Sequence, residues 1–396
     1  MSKVIVHIDL NAFFVRAEEI KDSSLENQPV AVGHEGRAGI VSTCSYEARK
    51  FGVRSGMPMF KAKELCPNLI IKSVDFNWYK TLSREFITFV KSYTRKVEIA
   101  SVDECFADFT ENIRGVKNVE QYFLQFQKEL FYKTKLKCSI GIGPTKFLAK
   151  MGSDYKKPMG LTIIRKKDIA KILFPLPIED MFGIGKKSAP RMTELGINTI
   201  GDLYRELNIE NSEVNKHLGK FSFELKQWLS GNGSDEISME PWDPKSIGHS
   251  STLMHDTDDL NDIKEMLSRL AKEVSEGAKK ENKIGNTVQI IAKETNFRVH
   301  NKSVKLSDFT NDYKVIFNKA MSLYEKNFTG LLVRQVGITL QNLISPKDLV
   351  VQMNFFDYEK HEEESTTKLL INELNRKLDK PALKRASELE IKKKEK

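Results

Sequence analysis

The segment IASVDECFADF, residues 99–109, places two carboxylates, Asp103 and Glu104, side by side between apolar runs that read as the arms of a β-hairpin. Like charges in a dry setting raise each other's pKa and destabilise a fold unless a cation stands between them. An Arg, a Lys or a metal ion meets that need. A third acid is Asp9, at the end of the first apolar strand, KVIVHIDL. Two strand segments paired in an antiparallel sheet lie ~5 Å apart. Three hard oxygen ligands on a rigid sheet suit Mg²⁺, which completes its shell with water and substrate phosphates. Two such ions ~4 Å apart would organise an in-line phosphoryl displacement. The other reading has Asp9 capping the following helix and the Asp-Glu pair on a solvated turn. Spacing alone leaves both open.

The surrounding pattern gives a fold class. AFFVRAEEI has helical spacing, PVAVG and GIVSTCS read as strands, and YEARKFGV as a short helix closed by Gly52. MPMFKAKELCP reads as a helix stopped by Pro67, and residues 76–95 as a long helix. NVEQYFLQFQKELFYKT recurs apolar at helical intervals, KCSIGIG is a strand, PTKFLAKMGSDY a helix opened by Pro144, and GLTII a strand. Strand, helix, hairpin, helix, strand is the order of a split βαβ sheet, so an α+β fold is expected. Residues 166–229 then look wholly helical, and SGNGSDEISMEPWDPKS has linker composition. Residues 245–345 alternate again, with a helix near 258–280 and strands in NTVQIIAKE and RQVGITLQNL. The tail past Pro346 is rich in charge.

A chain of 396 residues has room for two to four domains. Its 63 Lys and Arg against 54 Asp and Glu leave a net charge of +9, which favours a polyanionic partner such as nucleic acid. None of the four cysteines is spaced as CxxC, which argues against a zinc site and for reduced thiols. The first strand is too short for a signal sequence, and no apolar run approaches ~20 residues. A cytoplasmic protein without a membrane partner is expected.

Further residues point to phosphate. Tyr46 and Arg49 share one helix face at i, i+3, and a phenol with a guanidinium can grip phosphate oxygens. Lys157 stands before a proline, just ahead of LTII. Taken singly, each also reads as a solvated surface charge.

Four blocks stand in order: VIVHIDLNAFFVRAEE, YEARKFGVRSGMP, SVDECFADFT and CSIGIGPTKFLAKMGSDYKKPMGL. Together they resemble the Y-family translesion DNA polymerases of the bacterial polymerase IV type, over residues 1–345 and a short motif in the tail. The resemblance implies a multidomain α+β right-hand polymerase. Its ferredoxin-like palm would be residues 1–19 and 78–165, and its small fingers 20–77. The helical thumb, with a helix-hairpin-helix, would be 166–230, the linker 231–244, the α+β little finger 245–345 and the tail 346–396.

It also implies roles. Asp9, Asp103 and Glu104 match the metal-binding carboxylates, with the Leu10 carbonyl beside them, for two Mg²⁺ or, in substitution, Mn²⁺. The reaction is attack of a primer 3′-hydroxyl on a dNTP, releasing pyrophosphate. Thr43, Tyr46, Arg49 and Lys157 match the triphosphate contacts, and Phe14, with Phe13 beside it, matches the aromatic gate that refuses a 2′-hydroxyl. Gly183, Gly185, Lys186 and Lys187 match a helix-hairpin-helix that holds duplex backbone. Lys279, Lys280, Lys283, Lys293, Arg298, Lys302 and Lys305 would add phosphate contacts. QMNFF, with Gln352, Met353, Phe355 and Phe356, resembles a sliding-clamp peptide, although Phe355 stands where Leu is common. Asn11 stands where relatives often carry Asp, and Arg16 where a small residue is common. The implied protein is a monomer that works on primer-template DNA and dNTPs without a proofreading exonuclease. The alternative is a non-catalytic DNA-binding, clamp-associated module, and such a degenerate relative would have lost one of these acids or phosphate contacts. A nucleotide cyclase would leave the helix-hairpin-helix and the clamp-like peptide unexplained.

Overall fold

The computed structural model describes residues 3–349 and Leu374. The chain divides after Trp242 into two compact units. Among the described residues no helix is long and apolar enough to cross a membrane.

The first unit opens with strand β1 (Ile5–Leu10) and helix α1 (Phe13–Lys21), then β2 (Val30–Gly33), β3 (Val41–Cys44), α2 (Tyr46–Lys50), α3 (Met59–Leu65) and β4 (Ile70–Lys72). It continues through α4 (Phe76–Lys91), β5 (Val97–Ile99), β6 (Glu104–Asp108), α5 (Val119–Thr134), β7 (Cys138–Gly143), α6 (Lys146–Tyr155) and β8 (Leu161–Ile163). A five-stranded sheet runs in the order β5-β6-β1-β7-β8, with β1 antiparallel to both neighbours. The strands β2, β3 and β4 form a separate three-stranded sheet.

Alternation along β1 sets the layers. Val6, Ile8 and Leu10 join a core with Tyr79, Leu82 and Phe86 of α4 and Phe123, Phe126 and Leu130 of α5. Each fully buried aromatic there stabilises the fold by roughly 2–3 kcal/mol, and the ring of Phe109 packs edge to face against those of Phe123 and Phe126. His7 and Asp9 point to the opposite face, toward α6. That helix lies very close to β7 because Gly141 has no side chain. A Cβ there would stand 1.9 Å from the Ala149 carbonyl oxygen and 2.2 Å from the Ser153 nitrogen. The close approach carries Lys150 and Ser153 onto the sheet beside the acids. The helix begins at Lys146, later than the proline signal suggests, because Thr145 is the residue whose side chain caps the Leu148 N–H.

Arg16 is buried at 6 % exposure, and its guanidinium donates to Glu19 at 2.8 Å, to Glu26 at 2.6 Å and to the Lys135 carbonyl at 2.8 Å. The large residue on this helix face is therefore fully partnered.

After β8 the unit is helical, with α7 (Ile169–Ile172), α8 (Ala189–Glu194), α9 (Ile200–Leu207), α10 (Glu213–Leu218) and α11 (Lys220–Leu229) around a core that also takes in Phe147, Leu148 and Met151 of α6. Residues 230–242 carry no helix or strand.

The second unit has β9 (Ser246–Thr257), α12 (Leu260–Lys280), β10 (Gly285–Glu294), β11 (Val299–Thr310), α13 (Tyr313–Phe328) and β12 (Val333–Gln341). The antiparallel sheet runs β11-β10-β12-β9. Both helices bury apolar stripes against its Val288, Ile290, Ala292, Val336, Ile338 and Leu340.

Candidate functional site

Asp9 of β1 is the cross-strand partner of Glu104, the first residue of β6. Asp103 sits in the turn just before, where its main-chain oxygen accepts the Leu10 N–H at 2.9 Å. Its carboxylate accepts from the Ser101 hydroxyl at 2.5 Å. The three acids thus converge at one end of the β1–β6 pair: Asp9 is buried and does not cap α1, whose N-cap is Ala12 with no side-chain hydrogen bond, and Asp103 and Glu104 are half-buried.

Cations do stand among them. Lys150 Nζ lies 2.8 Å from Glu104 Oε2, 3.3 Å from Asp9 Oδ2 and 3.5 Å from Asp154 Oδ2. Lys157 Nζ lies 2.7 Å from Asp9 Oδ1 and 2.8 Å from Asp154 Oδ1. Burial works against both ammonium groups, but the surrounding carboxylates outweigh it and hold them above the ordinary lysine range. On the sheet's α6 side, His7 Nδ1 is 2.7 Å from Ser153 Oγ, and its Nε2 is 3.3 Å from Glu104 Oε2. Apart from that long contact, the buried Nε2 has no partner among the described residues. Burial keeps the imidazole below its usual pKa and so neutral.

The acids feel unequal fields. The His7 ring, followed by Lys150, holds the Glu104 carboxyl down at about 2. Burial pushes Asp103 up, and the charges of Asp9 and Glu104 add to it. Asp103 is therefore the acid least compensated by the protein itself.

Lys150 is the principal internal cation of this cluster, so Lys150→Met should lower stability in metal-free buffer by about 3 kcal/mol, the lower end of the cost of stripping one partner from a buried ion pair. Urea unfolding in the presence of a chelator reads this. An unchanged midpoint would mean that the acids do not depend on Lys150.

A cavity of about 280 Å³ opens beside the acids, lined by Asp9, Leu10, Phe13, Phe14, Thr43, Tyr46, Arg49, Asp103 and Lys157 among others. Glu104, beside Asp9 across the strands, is not on its wall. Ser45 caps α2 by accepting the Ala48 N–H at 3.1 Å and donates to the Gln28 carbonyl at 2.9 Å, which fixes the short helix carrying Tyr46 and Arg49. The Arg49 guanidinium lies 4.5 Å over the Tyr46 ring. Burial raises the Tyr46 phenol, so it stays a neutral donor. Phe14 stacks on Tyr79 at 4.4 Å and 14°, whereas Phe13 is 2 % exposed and mostly core.

Gly183, Gly185, Lys186 and Lys187 stand away from this cavity, ahead of α8. Gly183 adopts φ +94° with Phe221 and Trp228 close by, and both lysines are exposed. In the second unit Lys293, Lys302 and Lys305 lie on the sheet. Lys283 instead pairs with Asp243 at 2.5 Å and is only 13 % exposed, which makes it a poor candidate for a phosphate contact. Gln352, Met353, Phe355 and Phe356 lie outside the described residues.

Sequence reasoning missed His7, Lys150 and Asp154. His7 did leave a signal, since it sits two residues before Asp9 and so shares its strand face.

Known proteins resemble the chain over most of its length. The model of the impB/mucB/samB family matches residues 8–154, that of the family's C-terminal domain residues 244–355, and that of the IMS family HHH motif residues 166–197. The DNA polymerase IV of Bacillus velezensis is 37 % identical over 381 residues, spanning 95 % of this chain and 90 % of the relative. The DNA polymerase IV of Clostridium kluyveri is 40 % identical over 346 residues, spanning 86 % and 85 %. Among solved structures, a Y-family DNA polymerase chimera of Dbh and Dpo4 superposes with a TM-score of 0.75 at 29 % identity, covering 86 % of this chain and 99 % of that one.

Proposed function

The chain belongs to the impB/mucB/samB family of Y-family DNA polymerases, and we propose that it adds deoxynucleotides to a primer 3′ end at the Asp9–Asp103–Glu104 site. It is a DNA-directed DNA polymerase of the translesion class. The observation that carries the assignment of the site is the single cavity that joins two of the three acids to Tyr46, Arg49, Lys157 and Phe14.

The donor set fits divalent cations. Three carboxylates and the Leu10 carbonyl are hard oxygen ligands, and the protein's own lysines compensate the Asp103 end least. We assign two Mg²⁺ to Asp9, Leu10, Asp103 and Glu104, with Mn²⁺ as a substitute. When bound, such ions acidify a primer 3′-hydroxyl and neutralise charge developing on phosphate oxygens. Arg49, Lys157, Tyr46 and Thr43 grip and orient the triphosphate, so that the α-phosphate faces the primer hydroxyl and pyrophosphate can leave. Phe14, with Phe13 behind it, forms the wall under C2′ of the sugar.

In the same reading, residues 1–19 and 78–165 are the palm, 20–77 the fingers, 166–230 the thumb, 231–244 the linker and 245–345 the little finger. Gly183, Gly185, Lys186 and Lys187 hold duplex backbone. We assign no proofreading step to the chain, a monomeric working form, and a cytoplasmic location in keeping with four buried free cysteines.

Extension of a primer by single dNTPs on an undamaged template tests this. The protein should add only the complementary nucleotide readily and should leave a mismatched primer end unshortened when dNTPs are withheld. Binding of primer-template without addition would favour the non-catalytic module instead. Residues 352–356 are assigned to a sliding clamp. Their deletion should leave distributive synthesis unchanged and remove stimulation by the clamp, read as product length with and without it. Equal stimulation of both proteins would reject that partner site.

A further inference from the structure

Asn11 is 5 % exposed, and both ends of its amide are in use. Nδ2 donates to Ser139 Oγ at 2.9 Å, and Oδ1 accepts the backbone N–H of Met159 at 2.8 Å. Met159 takes φ +61°, a left-handed conformation that a side chain other than glycine adopts at a cost and keeps only where its surroundings hold it. A second buried amide holds the same turn from below. Gln127, 6 % exposed, donates to the Cys138 carbonyl at 3.0 Å and lies 3.4 Å from the carbonyls of Met159 and Gly160. Two residues before Met159 stands Lys157, whose ammonium reaches Asp9 and the cavity wall. The backbone that carries Lys157 is thus pinned on its N–H side by Asn11 and on its carbonyl side by Gln127. A loop lysine on a free backbone samples many positions, and each degree of freedom lost on binding an anion weakens the grip.

We propose that Asn11 is a positioning residue that fixes the Lys157 loop for the incoming nucleotide's triphosphate, a role that rests on Lys157 being a triphosphate contact. Asn11 follows the metal-side acid Asp9 by two residues, and it couples the end of β1 to the phosphate side of the cavity through one hydrogen bond. An aspartate at this position supplies the same acceptor to Met159 and a second acceptor for the Ser139 hydroxyl, so it serves the same geometry.

The test is single-nucleotide addition to a primer-template, with kcat and dNTP KM measured for Asn11→Ala, Asn11→Asp, Lys157→Ala and the Asn11→Ala/Lys157→Ala pair. Asn11→Ala should raise KM about tenfold with kcat within about threefold, Asn11→Asp should restore KM, and the double variant should be no worse than Lys157→Ala alone. Additive losses, or an unchanged KM in Asn11→Ala, would overturn the proposal. Should Lys157→Ala itself leave KM unchanged, the reading of Lys157 fails, and hydrogen exchange of the Met159 amide decides the pinning by itself. Faster exchange in Asn11→Ala than in the native protein supports it, and equal exchange overturns it. If Asn11→Ala does not fold, Gln127→Met carries the same expectation from the carbonyl side, a raised KM at preserved kcat.

Discussion

The Asp103→Ala protein is expected to add nucleotides at least about a thousandfold more slowly than the native chain, a loss of about 4 kcal/mol of transition-state stabilisation. It should bind primer-template DNA as tightly as before. The asymmetry follows from where Asp103 sits. Its side chain faces the cavity and accepts one hydrogen bond, from Ser101, and no lysine pairs with it among the described residues. Burial and the charges of Asp9 and Glu104 make its ionised form costly in the metal-free protein. Removing it relieves repulsion, so the thermal midpoint should not fall. Single-turnover extension, fluorescence anisotropy with labelled DNA and a melting curve check the three parts. A near-normal rate would remove Asp103 from the reaction centre.

The Phe14→Ala protein is expected to accept ribonucleotides about 100-fold better relative to deoxynucleotides than the native chain. Refusal by clash needs a wall that does not yield. Phe14 has such backing. It stacks on Tyr79, whose hydroxyl donates to Glu18 at 2.7 Å, and the neighbouring Trp78 indole donates to the Ala17 carbonyl at 2.9 Å, tying α4 to α1. Truncating the ring opens space without loosening that frame. The ratio of kcat/KM for an rNTP and its dNTP reads the effect, and an unchanged ratio would assign sugar selection elsewhere.

Much of the site was legible because its acids announce themselves locally. Asp103 and Glu104 are adjacent, and Asp9 ends an apolar strand, so their register as cross-strand neighbours follows from ordinary antiparallel pairing. Tyr46 and Arg49 are one helical turn apart and carry their own cap in Ser45. The neutralising cation was not legible. Lys150 lies 141 residues from Asp9 and 46 from Glu104, and it reaches both only because Gly141 lets α6 settle on the sheet. Likewise Asn11 and Met159 meet across 148 residues. In the second unit the strand β11, VHNKSVKLSDFT, escaped notice for a different reason. It is an edge strand with most residues exposed, so it lacks the apolar alternation that marks β10. The helix α13 shows its stripe only once Ile316, Ala320 and Tyr324 are seen buried at intervals of four.

The most direct measurement is a crystal structure of the protein with primer-template, a complementary dNTP that cannot react, and Mn²⁺, with anomalous scattering used to locate the metal. Two Mn²⁺ peaks held by Asp9, Asp103 and Glu104 are expected, with Lys157 and Arg49 on the triphosphate and Phe14 under the sugar. A nucleotide bound with no anomalous peak at these acids, or with its triphosphate away from Arg49 and Lys157, would contradict that arrangement.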